Sequence, residues 1–248
     1  MLPVALEDAT KVVQAFLDSG KEYVCLMLLH DDVSDDDLGK VLSEFAGEIH
    51  QKPPLRASVK RESRKRTIYH IELLERDGNR VLLKVGCQAG TYIRKLCSDI
   101  GEILGVGAHM QELRRTRSGP FTDSTGLNTL HEVVDAHARF AEGDETAIRA
   151  IVRPVEEALQ YIPKIHIRDS TVDAICHGAS LAIPGVVDVE DPFPRDSTVA
   201  ILTLKGEAVA LARSTLSSES IIHQEKGIAA KVMRVLMPRG TYPKMWRG

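Results

Sequence analysis

The sequence predicts an α+β protein in two parts, a larger domain on a mixed sheet and a smaller one rich in short strands. Two apolar runs, Thr67 to Leu74 and Val81 to Cys87, alternate at period two and flank Asp77-Gly78-Asn79, a hairpin signal. The second run passes through Gly86-Cys87-Gln88-Ala89-Gly90 into a new spacing: Ile93, Leu96, Ile100 and then Ile103 or Leu104 recur every three to four residues. That is a helix leaving the end of a strand. Past Pro163 the chain turns to short strands and tight turns. The boundary therefore falls near residues 161–165, giving domains of 1–162 and 163–248.

The other elements follow in order. Val4 to Asp18 reads as an extended entry into a helix that buries Val12, Val13, Phe16 and Leu17 and closes at Gly20. Glu22 to Leu29 is a dense apolar strand. Ser34, with Asp37 three residues on, makes a helix N-terminus whose core face carries Leu38, Val41, Leu42 and Phe45. Pro53-Pro54 stops regular structure and opens a basic loop. Met110 to Arg117 forms another strand, and Thr129 to Ala141, Thr146 to Val152 and Val155 to Tyr161 are helical. In the second domain, Ile165 to Ile167 precedes a helix from Ser170 to His177 that ends at Gly178. Val199 to Leu204 and Ala208 to Ala212 form a hairpin turning at Lys205-Gly206, and Ile228 to Met237 is the last strand.

Composition narrows the function. A hydrophobic fraction of 43% and a charged fraction of 27% fit a soluble globular chain. No apolar run approaches the roughly 20 residues that span a bilayer, and Glu7 and Asp8 follow the first apolar residues too soon for a signal peptide. Cys25, Cys87, Cys97 and Cys176 form no CxxC pair, which points to reduced thiols in the cytoplasm and to no structural zinc. His131 and His137 lack a metal-binding spacing, so no metal is expected there. The net charge of −3 hides three basic patches. Residues 51–66 carry Lys52, Arg56, Lys60, Arg61, Arg64, Lys65 and Arg66 against the single acid Glu62. Arg114, Arg115 and Arg117 form a second patch, and the stretch from Lys231 to Gly248 is basic without an acid. Such patches on a near-neutral chain suit an RNA-binding footprint; each taken alone is equally an ordinary solvated face.

Tyr92 and Arg94 sit where the strand becomes the helix. A short extended segment there would point both side chains the same way, toward an anion or a polar ring. The plainer alternative is a capped helix start with an exposed arginine.

With these pieces in order, the chain resembles the archaeal box H/ACA RNA-guided pseudouridine synthases, counterparts of dyskerin and relatives of the bacterial T-loop tRNA enzyme. Gly90-Thr91-Tyr92-Ile93-Arg94 resembles that family's central active-site motif, and Lys21-Glu22-Tyr23-Val24 its second. Pro53 to Lys60 resembles the loop after two prolines. Gly105 to Met110 with Leu113 to Phe121 resembles the third motif, and residues 165–248 resemble its small β-barrel-like PUA module.

The resemblance implies conversion of uridine to pseudouridine, without a cofactor, in rRNA under an H/ACA guide RNA, with tRNA as a second substrate class. It also implies small H/ACA ribonucleoprotein proteins as partners. Tyr23 would stack on the target uracil, since stacking tolerates a turning ring. Tyr92 would contact the base and help move the C5 proton, and Arg94 would hold a catalytic aspartate ionised. Leu113 would pack on the base, although a plain core leucine fits it nearly as well; His109 reads as structural. Lys52, Arg56, Lys60, Arg61, Arg64, Lys65, Arg114 and Arg115 would meet phosphates, as would Arg239 and Lys244, while Gly178 would let RNA approach the backbone closely.

One departure stands out. The family carries its catalytic aspartate in a G-T-L-D-P-x-x-x-G segment just before a Leu-Pro-Val-Ala-Leu stretch, and here Met1 immediately precedes Leu2-Pro3-Val4-Ala5-Leu6. The sequence thus reads as a fragment, a late start or half of a split protein, inactive by itself; Asp8 and Asp99 do not match the aspartate's position. The alternative is a non-catalytic RNA-binding or scaffolding remnant of the same fold. A PUA-linked methyltransferase is disfavoured, because no Gly-rich nucleotide turn follows any strand.

Overall fold

A computed structural model describes residues 1–17, 19–53, 62–124 and 126–245. The elements are α1 (Val13–Leu17), β1 (Lys21–Leu29), α2 (Asp35–Glu44), β2 (Gly47–Gln51), β3 (Arg64–Asp77), β4 (Arg80–Cys87), α3 (Ile93–Ile103), β5 (Ala108–Ser118) and β6 (Phe121–Thr122). They continue with α4 (Leu130–Ala141), α5 (Thr146–Ile151), β7 (Lys164–Ile167), α6 (Asp169–Cys176), β8 (Leu181–Ala182), β9 (Val186–Glu190), β10 (Thr198–Thr203), β11 (Ala208–Ser214), α7 (Ser218–His223) and β12 (Ile228–Val235). Short 3-10 turns cover Glu7–Val12, Val155–Leu159 and Ile183–Gly185. The chain forms two units, one of Met1–Pro3 with Asp18–Leu127, the other of Val4–Leu17 with Asn128–Gly248.

The first unit is a six-stranded sheet in the order β2-β3-β4-β1-β5-β6. Its described pairings are all antiparallel, so the mixed character expected of this sheet falls instead in the second unit. Period two decides which face is covered. Cys25, Met27 and Leu29 of β1 and Val81, Leu83, Val85 and Cys87 of β4 are buried against Leu38, Leu42 and Phe45 of the α2 segment and Ile93, Leu96, Cys97 and Ile100 of α3. Each such side chain adds roughly 1.5–3 kcal/mol of apolar burial. The hairpin turns at Gly78-Asn79, where Gly78 takes φ +55°, a value that favours glycine. Ser34 caps α2: its Oγ accepts the Asp37 N–H at 3.1 Å, ahead of Asp35, Asp36 and Asp37 in the first turn.

The second unit carries a sheet in the order β8-β12-β11-β10-β7-β9, in which β10 and β7 pair in parallel. Its core joins Ile165, Ile167, Val172, Ile175, Val199, Ile201, Val209 and Ala230.

Several details differ from expectation. Leu17 is 47% exposed, because α1 is a short helix, and Ile103 is 58% exposed while Leu104 packs on the core. Val155–Leu159 is a 3-10 turn rather than an α-helix. Strand β3 begins at Arg64, so Arg64, Lys65 and Arg66 lie on a strand and not in the basic loop.

Gly101 lies inside α3 where the helix meets the start of β5. A Cβ there would lie 2.1 Å from the Ala108 nitrogen and 2.4 Å from the Gly107 carbonyl carbon. Alanine is the better helix former by about 1 kcal/mol, but the clash is with backbone and cannot rotate away. Gly101→Ala should therefore lower the unfolding free energy by about 2–3 kcal/mol, read as a fall in urea midpoint at constant slope. An unchanged midpoint would show that α3 and β5 are not packed this closely.

Candidate active site

The strand-to-helix junction is held by side chains that bond to backbone. Beyond the last residue of β4, the Gln88 N–H donates to Thr67 O at 2.8 Å, and Gln88 Oε1 accepts the Thr67 N–H at 3.1 Å. The Thr91 hydroxyl donates to Gln88 O at 2.7 Å and closes the turn. Gly90 takes φ +78° in this turn, and a Cβ there would meet the Arg66 guanidinium at 3.2 Å. Tyr92 then caps α3 in an extended conformation, φ −96° and ψ 102°, and its carbonyl accepts the Leu96 N–H at 3.0 Å. Gln51, only 2% exposed, closes on both backbone groups of Tyr92. Its Oε1 accepts the Tyr92 N–H at 3.0 Å and its Nε2 donates to Tyr92 O at 3.2 Å.

Register brings the remaining motif residues toward this junction. Tyr23 pairs with Val85 on one side and Arg115 on the other, and Cys25 pairs with Leu83 and Leu113. Residues opposite one another share a face, so Tyr23, Leu113 and Arg115 lie on the face that α3 covers. The Cys25 and Cys97 sulfurs approach to 3.4 Å, which fixes α3 above β1. Four residues back along α3 is about 6 Å, and two back along β1 is about 7 Å. The start of α3, with Tyr92 and Arg94, therefore lies at the Tyr23 end of the sheet.

Arg94 departs from the expectation of one extended segment shared with Tyr92. The helix begins at Ile93, so Arg94 is its second residue; it is exposed and pairs with no described side chain. Leu113 is 42% exposed, an apolar side chain open at the rim of the sheet. Asp99 pairs with Lys95 on α3, and Asp8 pairs with Lys11 at 3.0 Å on an exposed turn. Glu22 is occupied too: it accepts from the Thr116 hydroxyl at 2.9 Å and stands 3.5 Å from His70 Nε2 and 3.8 Å from Lys84.

A shallow pocket of about 100 Å³ opens at the junction, lined by Gln51, Pro53, Arg64, Arg66, Gly90 and Tyr92. The Nε of Arg66 is buried there without a partner among the described residues, while its Nη1 donates to Lys65 O at 2.7 Å. Of the basic residues, Lys52 is exposed, Lys65 pairs with Glu48 at 2.7 Å, and Arg114 pairs with Asp123 at 2.8 Å. Arg115 donates to Met1 O at 2.8 and 3.0 Å. Arg56, Lys60 and Arg61 lie outside the described residues. In the second unit Gly178 ends α6 with φ +87° and open space before it, and Arg239 and Lys244 are exposed. Among the described residues no cluster of His, Cys, Asp and Glu could hold a metal ion, and no helix is long and apolar enough to cross a membrane.

Burial pushes the Tyr23 phenol up, helped by the Cys87 thiol, while the Arg115 guanidinium pulls the other way. Burial drives the Cys87 thiol up to about 11, against the Thr91 hydroxyl, Lys21 and Arg117. The Cys97 thiol is raised further by sharing its proton with Cys25 in the core.

An aromatic ring on a sheet face, a helix start beside it and basic strands around it make a two-unit α+β chain with an open, positively charged candidate site. Comparison with known proteins gives the family. Residues 1–93 match the N-terminal domain of the TruB family pseudouridylate synthases, residues 94–160 the tRNA pseudouridylate synthase B C-terminal domain, and residues 163–236 the PUA domain. The chain belongs to the TruB family of pseudouridine synthases. It is 56% identical to a probable tRNA pseudouridine synthase B of Methanopyrus kandleri, over 99% of this chain and 73% of that protein. The corresponding Pyrococcus abyssi protein is 53% identical, over 99% of this chain and 74% of that one. Among solved structures, a chain of a Cbf5-Nop10-Gar1 complex matches with TM-score 0.94 and 52% identity, over 99% of this chain and 75% of that one. A chain of an H/ACA RNP bound to a substrate RNA containing 2'-deoxyuridine matches with TM-score 0.90 and 49% identity, over 97% of this chain and 73% of that one.

Two residues of this site escaped sequence reading. Gln51 and Gln88 act through side-chain bonds to distant backbone, and neither spacing nor composition signals such bonds.

The Cys87 thiol has a pH consequence. Its folded pKa of about 11 lies above the ordinary 9.0, so the folded state holds the proton more tightly. The stability this contributes is complete below pH 9 and is lost as pH rises toward 11. Urea unfolding should show the native chain losing about 2–3 kcal/mol more than Cys87→Ala across that interval. Parallel losses in the two chains would contradict the placement of this thiol.

Proposed function

We propose that this chain forms the base pocket and RNA-gripping surface of an enzyme that isomerises uridine to pseudouridine in structured RNA. The substrate is rRNA selected by an H/ACA guide RNA, with tRNA as a second class. The partners are the small proteins of that ribonucleoprotein, and the compartment is the cytoplasm, which suits four buried free thiols. The observation that carries the proposal is the register that sets Tyr23 beside the start of α3, with Leu113 one cross-strand pair further along the same sheet face. The solved relatives, an H/ACA RNP bound to a substrate RNA and a Cbf5-Nop10-Gar1 complex, support the choice of RNA and partners.

The reaction breaks the bond from N1 to C1′, turns the base and forms a bond from C5 to C1′, so the C5 proton leaves and N1 gains one. Tyr23 offers the ring on which the flipped base turns. Tyr92 borders the base and takes part in removing the C5 proton. Leu113 closes the apolar side. Arg94 pairs with a carboxylate and keeps it ionised. Lys52, Arg56, Lys60, Arg61, Arg64, Lys65, Arg114 and Arg115 contact phosphates. The exposed pairs of Lys65 with Glu48 and of Arg114 with Asp123 contribute about 1 kcal/mol or less, so a phosphate displaces either acid at small cost. Residues 163–248 act as the PUA module, with Gly178 against the RNA backbone and Arg239 and Lys244 on its phosphates.

The carboxylate that attacks the ribose comes from a family-type G-T-L-D segment that this sequence does not contain. Arg94 has no described partner, whereas Glu22, Asp99 and Asp123 are each engaged. The chain binds RNA through these surfaces, and its turnover depends on the carboxylate that Arg94 meets. The same observations favour a second reading, a non-catalytic RNA-binding scaffold.

Single-turnover tritium release from C5-labelled uridine, in a guide-plus-target RNA, separates these readings. The chain is assayed beside one bearing a family-type aspartate segment, and release by the extended chain alone is expected. Release by the short chain would place the nucleophile among its own acids, with Asp8 and Asp99 to be substituted next. No release from either would favour the scaffold.

A further inference from the structure

We propose that Gln51 is a positioning residue for the reaction: its buried carboxamide fixes the Tyr92 backbone and couples it to the basic segment that begins at Lys52. The inference rests on the assignment of Tyr92 to the base pocket. The Tyr92 N–H precedes the helix and has no intrahelical acceptor, and no side chain of its own caps α3. Gln51 meets the N–H at 3.0 Å and the carbonyl at 3.2 Å, extending a side chain as though it were one more rung of a β-ladder. A carboxamide both donates and accepts, which an ionised Glu and a Met do not.

The position of Gln51 gives the contact its consequence. It is the last residue of β2, pairs with Arg64 across the ladder, and is followed by Lys52 and Pro53. The pocket at the junction has Gln51 and Tyr92 in its wall together with Arg64 and Arg66. A pull on the basic segment by RNA phosphates is therefore transmitted through a side chain 2% exposed to the residue that starts α3. A shift of about 1 Å in a residue that faces the reacting base is enough to cost roughly 100-fold in rate.

The test uses the chain extended by a family-type aspartate segment as parent, with Gln51→Met and Gln51→Glu beside it. Gln51→Met should slow single-turnover tritium release by about 100-fold, while the RNA Kd stays within about twofold and the Tm within a few degrees. Gln51→Glu keeps an acceptor for the Tyr92 N–H and loses the donor. Its rate relative to parent should rise as pH falls from about 8 to about 5, because the protonated carboxyl regains a donor. A Gln51→Met chain as fast as parent overturns the inference. Equal losses of rate, Kd and Tm in both variants, without the pH recovery, overturn it too, since they mark a merely structural glutamine. A parent that releases no tritium overturns the synthase reading and this inference with it, a result distinct from both.

Discussion

The bond pair between the Gln51 carboxamide and the Tyr92 backbone joins three pieces of chain that are distant in sequence. Strand β2 ends at Gln51, strand β3 returns beside it from Arg64, and α3 starts at Ile93 directly after Tyr92. The β3–β4 hairpin supplies a second tie, because Gln88 meets the Thr67 backbone with its own backbone N–H and its side-chain Oε1. Two glutamine side chains thus extend the ladder past the last residues of their strands. The sheet can end abruptly, and the helix can begin after only five intervening residues beyond Cys87. Without them, backbone groups of a half-buried turn would be left unpaired, at about 1–3 kcal/mol each.

Sequence legibility divides along physical lines. The β3–β4 hairpin, β1, α2, α3 and strands β7, β10, β11 and β12 were readable, because burial on one face imposes a period and turns demand glycine at positive φ, while the short β8 and the β9 strand went unread. Ser34 as the cap of α2 was readable for the same local reason. Strand β2 was not: with Ile49 as its only large apolar residue, Gly47–Gln51 has no pattern, and its existence depends on the distant partner β3. Of the two readings of Arg94, the exposed arginine at a helix start holds, because the helix begins one residue earlier than an extended reading of Tyr92-Ile93-Arg94 allows. The motifs carrying Tyr23, Tyr92, Arg94 and Leu113 were legible as a resemblance. Gln51, which positions one of them, has no local signature at all.

The electrostatics follow the same division. The net charge of −3 says little, because acids and bases are paired locally: Arg76 with Asp32 and Asp35, Lys65 with Glu48, Arg114 with Asp123. Arg76 is the structural member of this set. Its side chain is 15% exposed and its Nη2 donates to Val33 O at 2.6 Å, which pins the start of α2 to β3. The exposed pairs are exchangeable, and a polyanion has little to displace. Conversely, the junction buries the neutral Cys87 thiol and the Gln51 carboxamide, and the charged groups beside them, Lys21 and Arg66, bury only part of their length.

The most direct measurement is hydrogen exchange at the Tyr92 amide in this chain, compared between the native sequence and Gln51→Met. The account predicts about tenfold faster exchange in the variant, the size of one lost hydrogen bond, with the Leu96 and Val85 amides unchanged. Equal exchange at Tyr92 in the two chains would contradict it, and would mean that the start of α3 is held by packing of Ile93 and Leu96 alone.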